Sequence, residues 1–394
     1  MKKLIYLLPF AAIAMVSCSN TEEMAELTPQ AKNAELKIFP QVGGATRGVL
    51  ATTANIAEFK LIASGDFTSA AVSGSDITAA NLTATKSGSI WALTDDDNAN
   101  AAVNLFWKST SSASASFSAY APVGVTYADG KITDFAVAAD PANQEDLIVA
   151  FNSGTRTDFS AGVPLHFQHA LSQIVVNATY TYDDAFEDTH KNLKVSVKGV
   201  KFVNVYGTGS LTLPTSSTVS GYTAEWTHSG TNAEFASALP AAQELNTMPS
   251  LIDNSAAAGP MLLIPQTQSA TADLAAASVT GSYLMALVDI NYDYMDGNNP
   301  ITTDLYPKTG YDDATNGTYA WIAVPVSIDW QAGYKYTYTL NFSNTGCGKA
   351  APGATAAIVG KDAGDPIVTE INTPVSFLVT VESEWTEQSV TPAM

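Results

Sequence analysis

Cysteine is almost missing from this chain. Only Cys18 and Cys347 occur in 394 residues, which rules out the disulfide framework of a small secreted scaffold. Arginine is as scarce, with Arg47 and Arg156 the only two. Basic residues number 18 against 38 acidic ones, for a net charge of −20. A surface so poor in cations has little with which to neutralise phosphates, which argues against a nucleic-acid partner. Charged residues of either sign make up only 14% of the chain. Long runs with a helical period are scarce as well. No Gly-rich phosphate loop, Ser–His–Asp arrangement or pair of catalytic carboxylates can be argued from spacing, so neither an enzyme nor a cofactor is expected.

What is present begins at residue 1. Lys2 and Lys3 precede an apolar stretch, 4–16, too short to span a bilayer comfortably, and Ser17 and Cys18 follow. This order is a secretory signal with cleavage between Ser17 and Cys18. Met15-Val16-Ser17-Cys18 resembles the lipobox of bacterial lipoproteins, which implies lipidation of Cys18 and an outer-membrane, surface-exposed address. Glu22-Glu23 resembles the surface-export signal of Bacteroidota lipoproteins. Loss of 1–17 removes Lys2 and Lys3 and moves the net charge from −20 to −22. Once Cys18 is lipidated, Cys347 has no intramolecular disulfide partner. Set in a Gly-flanked turn with no base or positive neighbour in view, it reads as a structural thiol.

Alternation of apolar and polar residues dominates the remainder and predicts an all-β fold. The length suggests two domains. After a polar spacer at 19–33, residues 34–42 read as a short strand with Leu36, Ile38 and Val42 in phase. Pro40 limits it to an edge or a bend. Residues 43–48 form a Gly-rich loop around Arg47. Further strands are expected at 58–63, 89–93, 102–108, 114–121 and 146–151. Later ones follow in the run 169–182, with Ile174, Val176, Ala178 and Tyr180 on one face, at 192–206 as two strands around Gly199, and at 259–266, 282–292 and 320–328. Residues 334–342 alternate cleanly, with Tyr336, Tyr338, Leu340 and Phe342 on one face. The last strand, 374–385, places Val375, Phe377, Val379 and Val381 on one face. A short helix-like patch lies at 273–278.

Two segments carry a resemblance. Phe167-Gln168-His169-Ala170-Leu171-Ser172-Gln173-Ile174 resembles the F-x-H-A-L-x-x-I segment of the Bacteroidota fimbrillins, subunits of type V pili. Ala323-Val324-Pro325, Trp330-Gln331-Ala332-Gly333 and Tyr336-Thr337-Tyr338 resemble that group's V-P … W-x-A-G-x-x-Y-x-Y segment. The motif residues are thus Phe167, His169, Trp330, Gly333, Tyr336 and Tyr338. The resemblance implies two β-sandwich domains of transthyretin-like type, at 48–163 and 164–394. They would follow a signal peptide at 1–17 and a propeptide at 18–47. It implies cleavage between Arg47 and Gly48, which removes lipid and first strand together. A C-terminal strand of a neighbouring subunit, here 374–387 with Val375, Phe377, Val379 and Val381, would fill the groove. The expected partners are other pilus subunits, the outer membrane through Cys18 before processing, and a host surface ligand. The expected final location is the fimbrium.

The residues themselves support part of this. Arg47 lies in an exposed type of loop, where nicking concentrates. Arg156 reads as a solvated surface residue. The competing reading is an unprocessed, anchored lipoprotein that binds glycans, since Trp91, Trp107, Trp226, Trp321, Trp330 and Trp385 could offer sugar platforms if exposed. His166 and His169 stand three apart in an extended segment and point to opposite faces, which argues against a shared metal. Residues 293–299 and the triplet Asp95, Asp96 and Asp97 read as turns and not as calcium loops.

Overall fold

The computed structural model describes residues 34–42, 56–69, 75–88, 90–110, 112–182, 193–218, 222–296, 298–368 and 376–382. Ser17, Cys18, Arg47, Gly48, Val375 and Trp385 lie outside the described residues.

The fold is all-β. Helix is confined to short pieces, among them Ser255–Ala258, Ala356–Val359 and a 3-10 turn at Pro141–Asn143. The first sheet runs Ile38–Val42, Val163–His169, Ile148–Thr155, Ser114–Ala121, Glu58–Thr68, Asp76–Ser87, Ile90–Asp95 and Ala101–Ala102 in spatial order. Alternation builds its core. In Ser114–Ala121, Ala115, Phe117 and Ala119 turn inward while Ser114, Ser116 and Ser118 do not. Phe59, Phe67, Trp107, Phe117, Phe159 and Phe167 fill the interior, with ring centroids 5.3–6.2 Å apart between neighbours.

The second half has two sheets around one core. One orders Ser250–Leu251, Ser172–Thr181, Lys335–Ser343 and Ser376–Glu382. The other orders Ala233–Glu244, Leu193–Val205, Tyr283–Asp296, Ala320–Pro325 and Lys349–Ala350. Ile174, Val176, Tyr338, Leu340 and Phe342 of the first meet Val197, Phe202, Leu284, Ala286 and Ile322 of the second. A small sheet joins the halves. Thr126–Ala128 and Lys131–Ala136 from the first half pair onward to Thr208–Thr212 and Glu225–Ser229 from the second.

Several elements differ from expectation. Val163–His169 contributes Val163, Leu165 and Phe167 to the first core. The sheets therefore part between His169 and Ser172, beyond the division expected at 163/164. The described residues of segment 192–206 form one strand, Leu193–Val205, with a bulge at Val197/Gly199 in both of its ladders. A Cβ on Gly199 would stand 2.9 Å from the Ser237 carbonyl oxygen, so the neighbouring strand approaches too closely for any side chain. The patch at 273–278 is not helical, because the Asp273 carboxylate accepts the Ala275 N–H at 2.8 Å and turns the chain. Residues 102–108 divide into Ala101–Ala102 and Phe106–Trp107, which pair with different strands.

Candidate assembly site

The first segment lies along the rim of the first sheet. Ala34–Glu35 pairs antiparallel with Phe106–Trp107. The chain then crosses over, and Ile38–Val42 pairs parallel with Val163–His169, from Ile38 opposite Val163 to Val42 opposite Phe167. The crossing is tied at both sides. Leu36 N–H donates to the Leu105 carbonyl and Val163 N–H to the Lys37 carbonyl, each at 2.8 Å.

Period-2 geometry sorts the side chains. Leu36 and Ile38 turn inward at 6% and 7% exposure, and Pro40 is buried with them. Lys37, Phe39 and Gln41 face outward. In a parallel ladder alternate residues bond to a given neighbour. With Lys37 in phase, Phe39 and Gln41 follow, so the missing N–H of Pro40 costs no ladder bond. Gly162 makes a socket for Phe39. Its φ is +120°, and a Cβ there would stand 2.2 Å from the Phe39 ring.

The covered edge depends on this segment. The ladder of Val163–His169 with Ile148–Thr155 holds only at His169 and Gln168. Beyond it, side chains replace a strand. Asn152 Nδ2 donates to the Pro164 carbonyl at 2.8 Å, and Thr218 Oγ1 to the His166 carbonyl at 2.6 Å. Without 34–42, the rim would present unpaired backbone above Val163, Leu165 and Phe167, all 0% exposed now. Gly162, Asn152 and Thr218 carried no signal in sequence, because each matters only through a distant strand.

The last strand sits at a second edge. Ser376–Glu382 pairs antiparallel with Lys335–Ser343, from Ser376 opposite Asn341 to Glu382 opposite Lys335. Lys335 Nζ lies 3.5 Å from the Glu382 carboxylate. Phe377, Val379 and Val381 share a face as expected, yet only Val379 packs on the core. Phe377 is 37% exposed, Leu378 61% and Val381 51%. The strand is held by its backbone and leaves its apolar side chains largely unburied.

The motif residues gather elsewhere, at the joint between the halves. Phe167 belongs to the first core. His169 Nδ1 lies 2.8 Å from the buried Asp146 carboxylate. Three residues on, Ser172 Oγ donates to the Gln331 carbonyl at 2.8 Å. Gly333, at φ +74°, donates its N–H to the Leu171 carbonyl at 2.8 Å. Trp330 Nε1 donates to the Tyr338 hydroxyl at 2.9 Å, and the Tyr336 hydroxyl accepts the Gln331 N–H at 2.8 Å. Burial pushes the Tyr336 and Tyr338 phenols up. These contacts lock a turn against the crossover at 170–171.

The remaining polar residues have structural partners. His166 is half-buried on the face opposite His169. Asp293 accepts from Lys194 at 2.7 Å and from Thr302 at 2.6 Å, which holds its carboxyl below the ordinary range. Asp96 takes Lys60 and Thr83 at 2.8 and 2.7 Å. Arg156 is half-buried, not solvated. Its guanidinium donates to the Lys108 carbonyl at 2.9 Å. The Cys347 thiol is buried and donates to the Ser343 carbonyl at 3.2 Å.

The fimbrillin-like family model matches residues 45–358. A fimbrial protein from Bacteroides vulgatus aligns at 15% identity and a TM-score of 0.50, covering 90% of this chain and 100% of that one. A fimbrilin from Porphyromonas gingivalis aligns at 11% identity and a TM-score of 0.37, over 89% and 96% of the two chains. For a fimbrial assembly protein from Parabacteroides distasonis the values are 12% and 0.32, over 79% and 93%. No curated protein matches.

Proposed function

The chain belongs to the fimbrillin-like family, and from that membership we propose how it is exported, processed and assembled. It is a non-enzymatic pilus subunit or adhesin of the cell-surface fimbrium, and it assembles with other pilus subunits. In our reading it leaves the cell as a lipoprotein, cut between Ser17 and Cys18 and lipidated at Cys18. The lipid holds it at the outer membrane. A protease then cuts between Arg47 and Gly48. Residues 18–47 depart, and the rim beside Val163–His169 opens. The last strand of a neighbouring subunit, 374–387, takes the vacated place and brings Val375, Phe377, Val379 and Val381 with it.

One observation carries this reading. The whole segment that covers the rim, 34–42, lies upstream of Arg47 and downstream of Cys18. A single cut would therefore release lipid and rim strand together. The largely exposed side chains of Ser376–Glu382 support the donor role. An open sheet edge is a template for a further strand. Burying four such side chains stabilises by about 6–12 kcal/mol, while association costs about 4–15 kcal/mol. Side chains alone roughly break even, so the ladder hydrogen bonds decide. The contact is head-to-tail and does not close, so it propagates as a filament.

The test is to treat the lipidated precursor with an arginine-specific protease, then examine it by mass spectrometry and electron microscopy. Loss of 18–47 with concentration-dependent oligomers is expected, and an Arg47→Gln precursor should stay whole and monomeric. A parent chain that resists cutting at Arg47, or is cut and stays monomeric, would sink the route.

A further inference from the structure

Near the joint between the halves lies an open cleft of about 350 Å³, whose wall includes Tyr222, Trp226, His228, Asp329, Gln331 and Tyr334. A second cleft of about 360 Å³ adjoins it. Tyr222 and Thr223 line both, and Glu225 lines the second. The two clefts share that short stretch of wall.

The wall is braced from behind. The Trp226 indole N–H donates to the Ala170 carbonyl at 2.9 Å. His228 Nε2 lies 2.8 Å from the Pro265 carbonyl oxygen, and its ring stacks on Tyr206 at 4.8 Å. The Gln266 carboxamide bonds both the N–H and the carbonyl of Tyr206. Those groups are committed to the fold. The half-buried rings of Tyr222, Trp226 and Tyr334 remain as lining, beside the exposed side chains of Asp329 and Gln331. Asp329 gives one oxygen to Thr267 at 2.9 Å and keeps acceptor capacity on the other.

The composition of the wall selects a ligand. Among the described residues no lysine or arginine lines either cleft, whereas Asp329 and Glu225 do. Phosphates and acidic sugars are therefore disfavoured by like charge. Lipid-like ligands call for a predominantly apolar pocket, and this one mixes rings with carboxylate, carboxamide and hydroxyl groups. An aromatic face carries negative charge density and attracts positively polarised C–H bonds. A neutral pyranose offers such a C–H face together with a rim of hydroxyls that can donate to carboxylate and carboxamide oxygens.

We propose that the first of these clefts binds a neutral saccharide. Pyranose faces would lie on the rings of Tyr222, Trp226 and Tyr334, with hydroxyls bonded to Asp329 and Gln331. The proposal rests on the adhesin side of the reading above and is independent of strand exchange.

Saturation-transfer NMR on the full exported protein tests it, with maltotriose, cellotriose, N-acetyllactosamine and, as a cationic control, choline. Transfer to the ring protons of at least one saccharide is expected. Asp329→Ala and Gln331→Ala should each weaken binding about 5–10-fold. Both side chains are exposed, so neither change should unfold the chain, and circular dichroism verifies that. Transfer to none of the three saccharides, transfer to choline alone, or saccharide binding that both variants leave unchanged would each overturn the proposal. Filaments that form without saccharide binding would remove the cleft's role and leave assembly standing. Binding without filaments would do the reverse.

Discussion

Replacing Leu36 and Ile38 together by alanine should release the first strand without melting the sheet beneath it. The two side chains are 6% and 7% exposed, and full burial of such a pair contributes about 3–6 kcal/mol. In a rigid core, truncating either costs about 2–5 kcal/mol, and the melting temperature falls by about 2–4 °C per kcal/mol in a domain of this class. This segment is not embedded in that way. It touches the sheet through one parallel ladder and two residues of antiparallel pairing. The loss therefore cannot exceed the docking free energy, because a strand that has left has nothing more to lose. Adding Phe39→Ala should then change little. Hydrogen exchange should show Val163–His169 losing protection while Glu58–Thr68 and Ser114–Ala121 keep theirs. A synthetic peptide of residues 374–387 should restore the lost protection. If the three substitutions lower the melting temperature additively, and Glu58–Thr68 opens in step with Val163–His169, the strand is an integral part of the domain and the detachment argument fails.

Three further outcomes are expected. Gly162→Ala places a Cβ 2.2 Å from the Phe39 ring and 3.1 Å from the Lys37 carbonyl oxygen. It should raise exchange at Val163 and speed cleavage after Arg47, with Phe39→Ala partly reversing both, whereas unchanged rates would show that the socket does not matter. Tyr338→Phe leaves the buried Trp330 indole N–H without its acceptor and should cost about 1–3 kcal/mol in urea denaturation; a variant as stable as the parent contradicts that. Asp253 is buried, and desolvation pushes its carboxyl up. Its folded-state value lies above its unfolded one, so the carboxyl opposes folding at neutral pH and this penalty fades as pH falls through the raised value. Parent and Asp253→Asn, compared by denaturation at neutral and mildly acidic pH, should therefore differ, with the parent gaining on the variant in acid. A constant difference would refute the assignment.

Strands whose buried face repeats cleanly could be read from the sequence. Ser114–Ala121 has the bounds expected from the alternation of Ser114, Ser116 and Ser118 with Ala115, Phe117 and Ala119, and Lys335–Ser343 carries the Tyr336, Tyr338, Leu340 and Phe342 face as expected. Asp76–Ser87 was illegible because only Leu82 and Ala84 of its twelve residues are buried. Apart from Ile77, its remaining positions are small or polar and show no period. The Thr208–Thr212 and Glu225–Ser229 hairpin was missed because it closes a sheet begun in the other half. The edge position of Ile38–Val42 could be read from Pro40. Its parallel register could not, since the partner lies far along the chain and nothing local encodes it. The Phe39 socket was hidden for the same reason.

The motif residues and the assembly residues differ in kind, and that explains what the sequence could reveal. Trp330, Gly333, Tyr336 and Tyr338 work through specific atoms: an indole N–H on a phenol, a left-handed glycine on a carbonyl, a phenol on a backbone amide. Removing the Trp330, Tyr336 or Tyr338 side chain deprives its partner of a hydrogen bond, at about 1–3 kcal/mol each, and a side chain at Gly333 strains a left-handed turn, so the pattern stands out as a motif. The rim around Val163–His169 works through backbone groups that every residue except proline supplies. Its side-chain demands are apolar bulk at alternate positions, space over Gly162 and the two donors Asn152 and Thr218, which come from distant parts of the chain. Many sequences meet such demands, so an edge of this kind leaves almost no mark in composition or spacing. The pattern around the joint is therefore legible in the sequence, while the edge that we propose joins one subunit to the next emerges only when the strands are laid side by side.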